Sequence, residues 1–221
     1  MNRDDQSALT VTLSQLKDLR PCRKRLKVIA PMFGEQGMTA RQAVRCGVTL
    51  SDLIWVATKV AKTNRCVERR LRMCAADWAA DVLHIYERDD TATLAPRKAI
   101  NAARAYANGQ IDEAARAAAE SAAWSAALDA TNRPAEDGTR SAATSAAAVV
   151  TLSVTTMPGA MTAVAAAAWA AIALTVTVTT EEDWQLQRLA EWLSPDEPEP
   201  VVLPRIPDFL RAPYKEHYHE P

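Results

Sequence analysis

Two alanine-lined helical segments joined by a short polar loop constrain the fold of this chain more than any other feature. The first segment runs from Cys74 to Glu87, and the second runs from Pro96 to Ile111. Alanine has the highest helix propensity, because fixing its side chain in a helix costs no rotamer entropy. No reactive group lies at the seam between the segments. The pair therefore predicts a close-packed helical hairpin, typical of a scaffold that binds a partner and does not transform it.

The composition favours an all-α fold, built as a single alanine-rich multi-helix bundle. The chain has 221 residues, with only six glycines and two phenylalanines, so few strand signals compete with the helical ones. Each buried alanine methyl removes little apolar surface from water, and a few large anchors must compensate. The six tryptophans lie inside helical patterns and are predicted to be those anchors: Trp55, Trp78, Trp124, Trp169, Trp184 and Trp192.

Capping patterns predict where several helices begin and end. Thr39 followed by Gln42 is a capping box, in which each side chain accepts a hydrogen bond from a free backbone N–H, and Gly47 ends that helix. Ser51 is predicted to cap the next helix, and Thr180 is predicted to cap the last one.

Apolar spacing predicts the two longest helices of the middle region. A helix over residues 64–87 carries a continuous core stripe at three- and four-residue intervals, formed by Val67, Leu71, Ala75, Trp78, Val82 and Ile85. A helix from Asp112 to about residue 130 is predicted to bury Ala115, Ala118, Ala122, Trp124 and Leu128.

Residues 1–194 are predicted to form one helical domain, and residues 195–221 a Pro-rich extended tail. Frequent prolines forbid a continuous helix in the tail. Its apolar side chains are expected to lie along the domain or in the groove of a partner. The tail residues expected to make contacts are Phe209, Leu210 and Tyr214.

The span 141–180 carries no charge and raises the question of a membrane. Its stretch Met161–Val178 has the 18 residues needed to cross a bilayer, but alanine and threonine dominate it and no positive charge flanks it. A buried helical hairpin is therefore the preferred interpretation.

The first twenty residues lack the apolar core of a signal peptide, and the four cysteines lack a metal-type pairing. We expect a cytoplasmic protein with free thiols.

Charge is divided unevenly along the chain. Residues 1–75 carry 15 Lys and Arg against 6 Asp and Glu, whereas residues 76–221 carry 11 against 21. The basic half either is compensated by the acidic half or forms a positive surface for an acidic partner or a nucleic-acid backbone. If it forms such a surface, its predicted members are Arg23, Lys24, Arg25, Lys27, Arg65, Arg69, Arg70 and Arg72.

Catalytic and metal-binding patterns receive little support from the sequence. Cys74, Asp77, Asp81 and His84 share one helical face and are all metal-ligand types, but one helix rarely supplies a full site. The two aspartates are instead expected to pair with basic residues of the next helix. Nucleophile elbows, phosphate loops and H-E-x-x-H are absent from the sequence. We therefore predict no catalytic residues, no metal site and no cofactor.

Short motifs spread over residues 12–194 carry a resemblance to a known family. They include Leu-Lys-Asp-Leu-Arg-Pro-Cys at 16–22, Leu-Ile-Trp-Val-Ala at 53–57 and the Cys74–Tyr86 helix. Further along come Pro-Arg-Lys-Ala-Ile at 96–100, Ala-Ala-Arg-Ala-Tyr-Ala-Asn-Gly at 102–109 and Trp-Gln-x-x-Arg-Leu-x-x-Trp-Leu at 184–193. In these motifs the chain resembles the immunity proteins of bacterial toxin–immunity loci, a family that also occurs in phage genomes.

That resemblance implies an all-α protein that neutralises a protein partner by occluding it, without enzymatic activity. We expect the partner to be a toxin. Two alternatives stay open. The first is a phage-encoded inhibitor of a bacterial defence complex, of the anti-CRISPR kind, that uses the basic residues. The second is a membrane-associated structural protein that uses residues 141–180.

Overall fold

The fold class is all-α, as the composition predicts. The structure, a computed structural model, describes residues 8–87, 94–131 and 178–195. Within these ranges eight α-helices and one 3-10 turn accompany a sheet of two very short strands. The predictions for Trp169, for most of the span 141–180 and for tail residues 196–221, including Phe209, Leu210 and Tyr214, lie outside the described residues.

The elements follow one another in an order dominated by helices. Strands β1 (Thr10–Val11) and β2 (Met38–Thr39) flank the first two helices. The helices are α1 (Leu13–Asp18), α2 (Arg23–Ile29), α3 (Ala40–Arg45), α4 (Leu50–Ala61), α5 (Arg65–Glu87), α6 (Ala95–Ala107), α7 (Glu113–Thr131) and α8 (Val178–Leu193), with the 3-10 turn at Ala30–Met32. None of the helices among the described residues is long and apolar enough to cross a membrane.

The chain divides into two compact units. The first unit contains the described residues 8–67 and 186–195, and the second contains 68–87, 94–131 and 178–185. The prediction of a single domain over 1–194 stays a prediction.

The first unit is organised around a small antiparallel ribbon. Thr10 lies opposite Thr39, and Val11 lies opposite Met38. Gly37 precedes β2 with φ +87°, and a Cβ at this position would meet the carbonyl oxygen of Val11 at 2.6 Å, so the close approach requires glycine. The ribbon's inner side chains join an apolar core whose buried members are Val11, Leu16 and Ile29, with Leu26, Phe33 and Val56 packed against them.

Local capping chemistry is largely as predicted, with one correction at α4. Thr39 accepts a hydrogen bond from the N–H of Gln42 at 3.2 Å, and the Gln42 side chain accepts one from the Thr39 N–H at 3.0 Å, which confirms that capping box. The cap of α4 is Thr49, however, and Ser51 lies inside the helix. Thr49 is the cap because Asp52, the third residue of the helix, accepts a hydrogen bond from the Thr49 N–H in return. If Ser51 were the cap, the third residue would be Ile54, which has no side-chain acceptor.

The second unit contains the predicted alanine-lined hairpin. Three side-chain pairs join α5 to α6: Asp77 with Arg104, Arg72 with Tyr106, and Arg69 with Asn108. Because the residue number rises along α6 as it falls along α5, the two helices run antiparallel. Their buried faces are mostly small, with Trp78 as the large buried anchor among Cys74, Ala75, Ala76, Ala79, Ala99 and Ala103.

Two expectations about the later helices are wrong. Ala115, Ala118 and Ala122 of α7 are exposed, and Arg116 is the buried one among the α7 side chains that the structure describes, which do not include Leu128. Alanine occurs on every side of α7, so its sequence lacks the contrast that marks a buried face. Thr180 does not cap α8, because the helix already begins at Val178.

The tryptophans serve as anchors only in part. Trp78 is fully buried, Trp55 and Trp192 are half-buried, and Trp184 is 37% exposed. The side chain of Trp124 lies outside the described residues. On α8 the inward positions are instead Gln185, Leu189 and Leu193.

The α4 cap gives a direct test of the local structure. Thr49→Ala should lower the free energy of unfolding by about 1–2 kcal/mol, because the N–H of Asp52 loses its acceptor. Ser51→Ala is the matched control and should be neutral or slightly stabilising, since Ser51 is exposed within the helix. Chemical denaturation followed by circular dichroism measures both, and a larger loss for Ser51→Ala would contradict the assignment.

Candidate functional site

Helix α2 separates its cationic side chains between solvent and the protein interior. Arg23, Lys24 and Lys27 are exposed, and none of the three makes an ion pair with another described residue. Arg25 turns inward and pairs with Asp52 of α4. The helix therefore presents three neighbouring positive charges outward while its fourth is used internally.

The inward pair is built into the start of α4. Asp52 accepts hydrogen bonds from the Thr49 hydroxyl at 2.7 Å and from the Arg25 guanidinium. The side chains of Arg25 and Asp52 are only 12% and 11% exposed. Such a shielded pair fixes α2 against the N-terminus of α4, and its role is structural.

Two cations that sequence reasoning left out extend the exposed group. Lys17 of α1 and Arg20 of the α1–α2 turn are both exposed, and Arg20 has φ +57°. We call Lys17, Arg20, Arg23, Lys24 and Lys27 the α1–α2 basic segment. The signal was available in the sequence, because only one acidic residue, Asp18, lies between positions 17 and 27.

The predicted arginines of α5 are mostly engaged within the protein. Arg69 donates to the Asn108 side chain at 2.8 Å. Arg72 pairs with Glu68 at 2.8 Å and places its guanidinium 5.1 Å from the centre of the Tyr106 ring. Arg65 at the start of the helix is exposed. This group belongs largely to the second unit, so a joint surface with α2 stays a prediction.

Arg70 is not the surface residue that the sequence predicts. It is 5% exposed. The reason lies in the helical repeat, because Arg70 stands three residues after Val67 and four before Cys74, both of which are buried. Because Arg70 is charged, it was predicted to lie at the surface, although its position in the helical repeat places it on the inner face of α5.

Tyr106 is the centre of a charged cluster in the second unit. Arg72 and Arg116 both lie against its ring, at 5.1 and 5.6 Å from the ring centre. Arg116 is buried and donates hydrogen bonds from two nitrogens to the Glu113 carboxylate, with Nε 3.0 Å from Oε2. Hydrogen bonding by Arg116, and secondarily by the Tyr106 hydroxyl, lowers the pKa of Glu113 to about 2. The cluster joins α5, α6 and the first turn of α7.

The candidate metal face of α5 is also used for packing. Cys74 is fully buried, and Asp77 pairs with Arg104 at 2.9 Å, which confirms one of the predicted ion pairs. Asp81 is exposed, and the side chain of His84 lies outside the described residues. Among the residues that the structure describes, no group of three or more His, Cys, Asp or Glu side chains is placed to hold a metal ion.

An apolar pocket lies inside the first unit. Its volume is about 60 Å³, and it is partly open to solvent. Side chains from both chain segments of the unit line it, among them Leu9, Ile29, Phe33, Val56 and Leu193. Its polar lining residues are Thr39 and Asp52, and Asp52 already accepts from Thr49 and Arg25. The pocket therefore suits an aliphatic side chain better than a reacting polar group.

The thiols of the first unit differ in exposure. Cys46 is fully buried, and burial raises the pKa of its thiol, which keeps it protonated and unreactive at neutral pH. Cys22 is exposed at the start of α2, where its sulfur accepts a hydrogen bond from the Arg25 N–H at 3.5 Å.

The fold and these contacts define an all-α protein whose first unit carries the exposed α1–α2 basic segment and an apolar pocket. Comparison with protein-family models, with curated proteins and with solved structures finds no match to this chain. The resemblance to immunity proteins therefore stays an expectation from sequence motifs.

Neighbouring arginines on α2 test the division between inward and outward cations. Arg25→Ala should lower the free energy of unfolding by about 3 kcal/mol, because Asp52 is then shielded without its counter-charge. Arg23→Ala should change it by less than about 0.5 kcal/mol, because Arg23 is solvated. Urea denaturation measures both changes, and equal effects would contradict the division.

The depressed pKa of Glu113 predicts a pH dependence of stability. The Glu113 carboxylate stabilises the fold above its ordinary pKa of 4.5, and that contribution is lost as the pH falls through about 2. In Glu113→Gln this part of the acid dependence should be missing. Glu35→Gln, at an exposed position, should retain the slope of the native chain. Unfolding midpoints measured from pH 7 to pH 2 test this, and parallel curves for native chain and Glu113→Gln would contradict it.

Proposed function

We propose that this chain is a non-enzymatic binding protein that uses the α1–α2 basic segment to occlude an acidic surface of a protein partner. The observation that carries the proposal is the outward placement of Arg23, Lys24 and Lys27 on one short helix. Their charges are available to a partner, whereas Arg25 beside them is committed to Asp52.

The firm attachment of helix α2 to the rest of the first unit supports a role in recognition. Helix α2 is fixed by the shielded Arg25–Asp52 pair and by Ile29 in the core. Cations on such a fixed helix lose less conformational entropy on binding than cations on a loose segment. Less of the favourable interaction free energy is then offset by ordering, so the affinity is higher. Complementary charge also speeds encounter and rejects partners of the same sign.

The motif resemblance supplies the kind of partner. Immunity proteins bind a toxin and block it by occlusion, and an acidic protein face is the complement of this basic segment. The proposed partner is therefore a toxin with an acidic face. An inhibitor of a defence complex would use the same residues, and the choice between these partners is an outcome of the binding experiment.

A pair of matched charge reversals tests the proposal. The tagged native chain, Arg23→Glu with Lys27→Glu, and the control Lys59→Glu with Lys62→Glu are used to capture proteins from nuclease-treated extract of the native host. The control changes the net charge equally at exposed lysines outside the basic segment. Mass spectrometry then identifies the captured partner, which is purified for calorimetry.

We expect the native chain and the control to bind one acidic partner in a one-to-one complex. The Arg23→Glu, Lys27→Glu variant should bind it at least tenfold more weakly, since each reversal removes an attraction and adds a repulsion. Equal affinity of both variants for the partner would contradict the basic segment as the site. Capture that occurs from untreated extract but is lost after nuclease treatment would contradict the proposed partner. Capture of a large nucleoprotein complex in place of a single toxin would contradict it as well.

A further inference from the structure

One residue of the α1–α2 basic segment has a backbone conformation that its own side chain disfavours. Arg20 has φ +57°, and among the described residues every other positive φ belongs to a glycine. In this left-handed region the Cβ of an L-residue lies too close to the following carbonyl oxygen, whereas glycine has no Cβ and adopts the conformation freely. A strained residue of this kind points to a use for its side chain.

Two other helices of the chain end in the same geometry, and both use glycine. Gly47 follows the end of α3 with φ +85°, and Gly109 follows the end of α6 with φ +68°. The N–H of each glycine donates to the carbonyl three residues before it at 2.9 Å. Arg20 has the corresponding place after α1, where its N–H donates to the Lys17 carbonyl at 3.0 Å. Glycine is therefore the residue that the turn at Arg20 favours.

The turn after α1 also has one hydrogen bond fewer than the other two. After α3 and α6 the next residue donates to the carbonyl five residues before it, from Val48 at 3.0 Å and from Gln110 at 2.9 Å. Pro21 follows Arg20 and has no N–H to donate. The hydrogen bonds of this turn therefore do not compensate for the strain at Arg20.

The guanidinium of Arg20 faces solvent and is not engaged within the described protein. Arg20 is exposed and makes no ion pair with another described residue. Leu19 and Pro21 on either side of it are half-buried, which holds the turn in place. Arg23 follows three residues later, within roughly 11 Å even at full extension of the chain, so a single acidic face can meet both arginines.

We propose that Arg20 is a partner-binding residue whose guanidinium donates two parallel hydrogen bonds to a carboxylate on the partner. This inference rests on the proposed function and names the side chain that reads the acidic face. A planar guanidinium matches the two oxygens of a carboxylate, whereas lysine offers a single point of charge. Because the turn is held in place, little conformational entropy is lost when the contact forms. The strained backbone is retained because binding needs arginine at this position, as in other proteins where function opposes stability.

Three substitutions at position 20 separate the backbone from the guanidinium. Arg20→Gly removes the strain and the guanidinium, Arg20→Ala removes the guanidinium and keeps the strain, and Arg20→Lys keeps the charge without the planar fork. Urea denaturation of each full-length variant measures stability. Fluorescence anisotropy measures binding to a labelled poly-glutamate peptide, whose carboxylates stand in for the acidic face. Lys62→Ala is the control, since Lys62 is exposed on the first unit outside the basic segment.

Stability and binding are expected to change independently of each other. Arg20→Gly should raise the equilibrium constant for folding roughly two- to fivefold, whereas Arg20→Ala should leave it nearly unchanged. Both variants should bind the peptide about tenfold more weakly than the native chain, and Arg20→Lys should bind it roughly threefold more weakly. Lys62→Ala should bind as the native chain does.

Equal affinity of Arg20→Ala and the native chain would overturn the inference, and so would a loss of stability in Arg20→Gly. Native affinity in Arg20→Lys would overturn the contact through two hydrogen bonds. Arg23→Glu with Lys27→Glu is measured in the same assay to test the proposed function. If that variant loses binding and Arg20→Ala does not, only the present inference fails. If neither variant loses binding, or the native chain does not bind the peptide, both fail.

Discussion

Arginine side chains supply the cohesion that small-residue helices lack. A buried alanine face removes little apolar area, so helices such as α5 and α6 gain modest stability from burial alone. In the second unit Arg69, Arg72, Arg104 and Arg116 each reach a partner on or near a neighbouring helix or turn. Their long stems cover apolar surface while their planar heads form directed contacts. Close packing and these contacts depend on one another, because only small residues bring the helices within reach.

This use of arginine changes how the charge of the chain is interpreted. The surplus of positive charge in residues 1–75 counts Arg25 and Arg70, which the structure places inside. Subtracting such internal cations leaves the exposed cations of the first unit, of which the α1–α2 basic segment contains more than the stretch from Lys59 to Arg65. Charge counted along a sequence measures composition, whereas a partner meets only the charges that remain outside.

Sequence reasoning succeeded where one local rule or one strong contrast decides the outcome. The Thr39–Gln42 box depends on two side chains three residues apart. The described part of the α5 core stripe, from Val67 to Trp78, is buried and stands out against charged neighbours, whereas the side chains of Val82 and Ile85 lie outside the described residues. Sequence reasoning failed where two neighbouring residues could both cap a helix, and where a tertiary contact decides which face of a helix is buried. Ser51 and Thr49 are both good caps, and the reciprocal carboxylate of Asp52 settles the choice. The face of α7 is set by the contact of Arg116 with Tyr106, because alanine marks no side as inner.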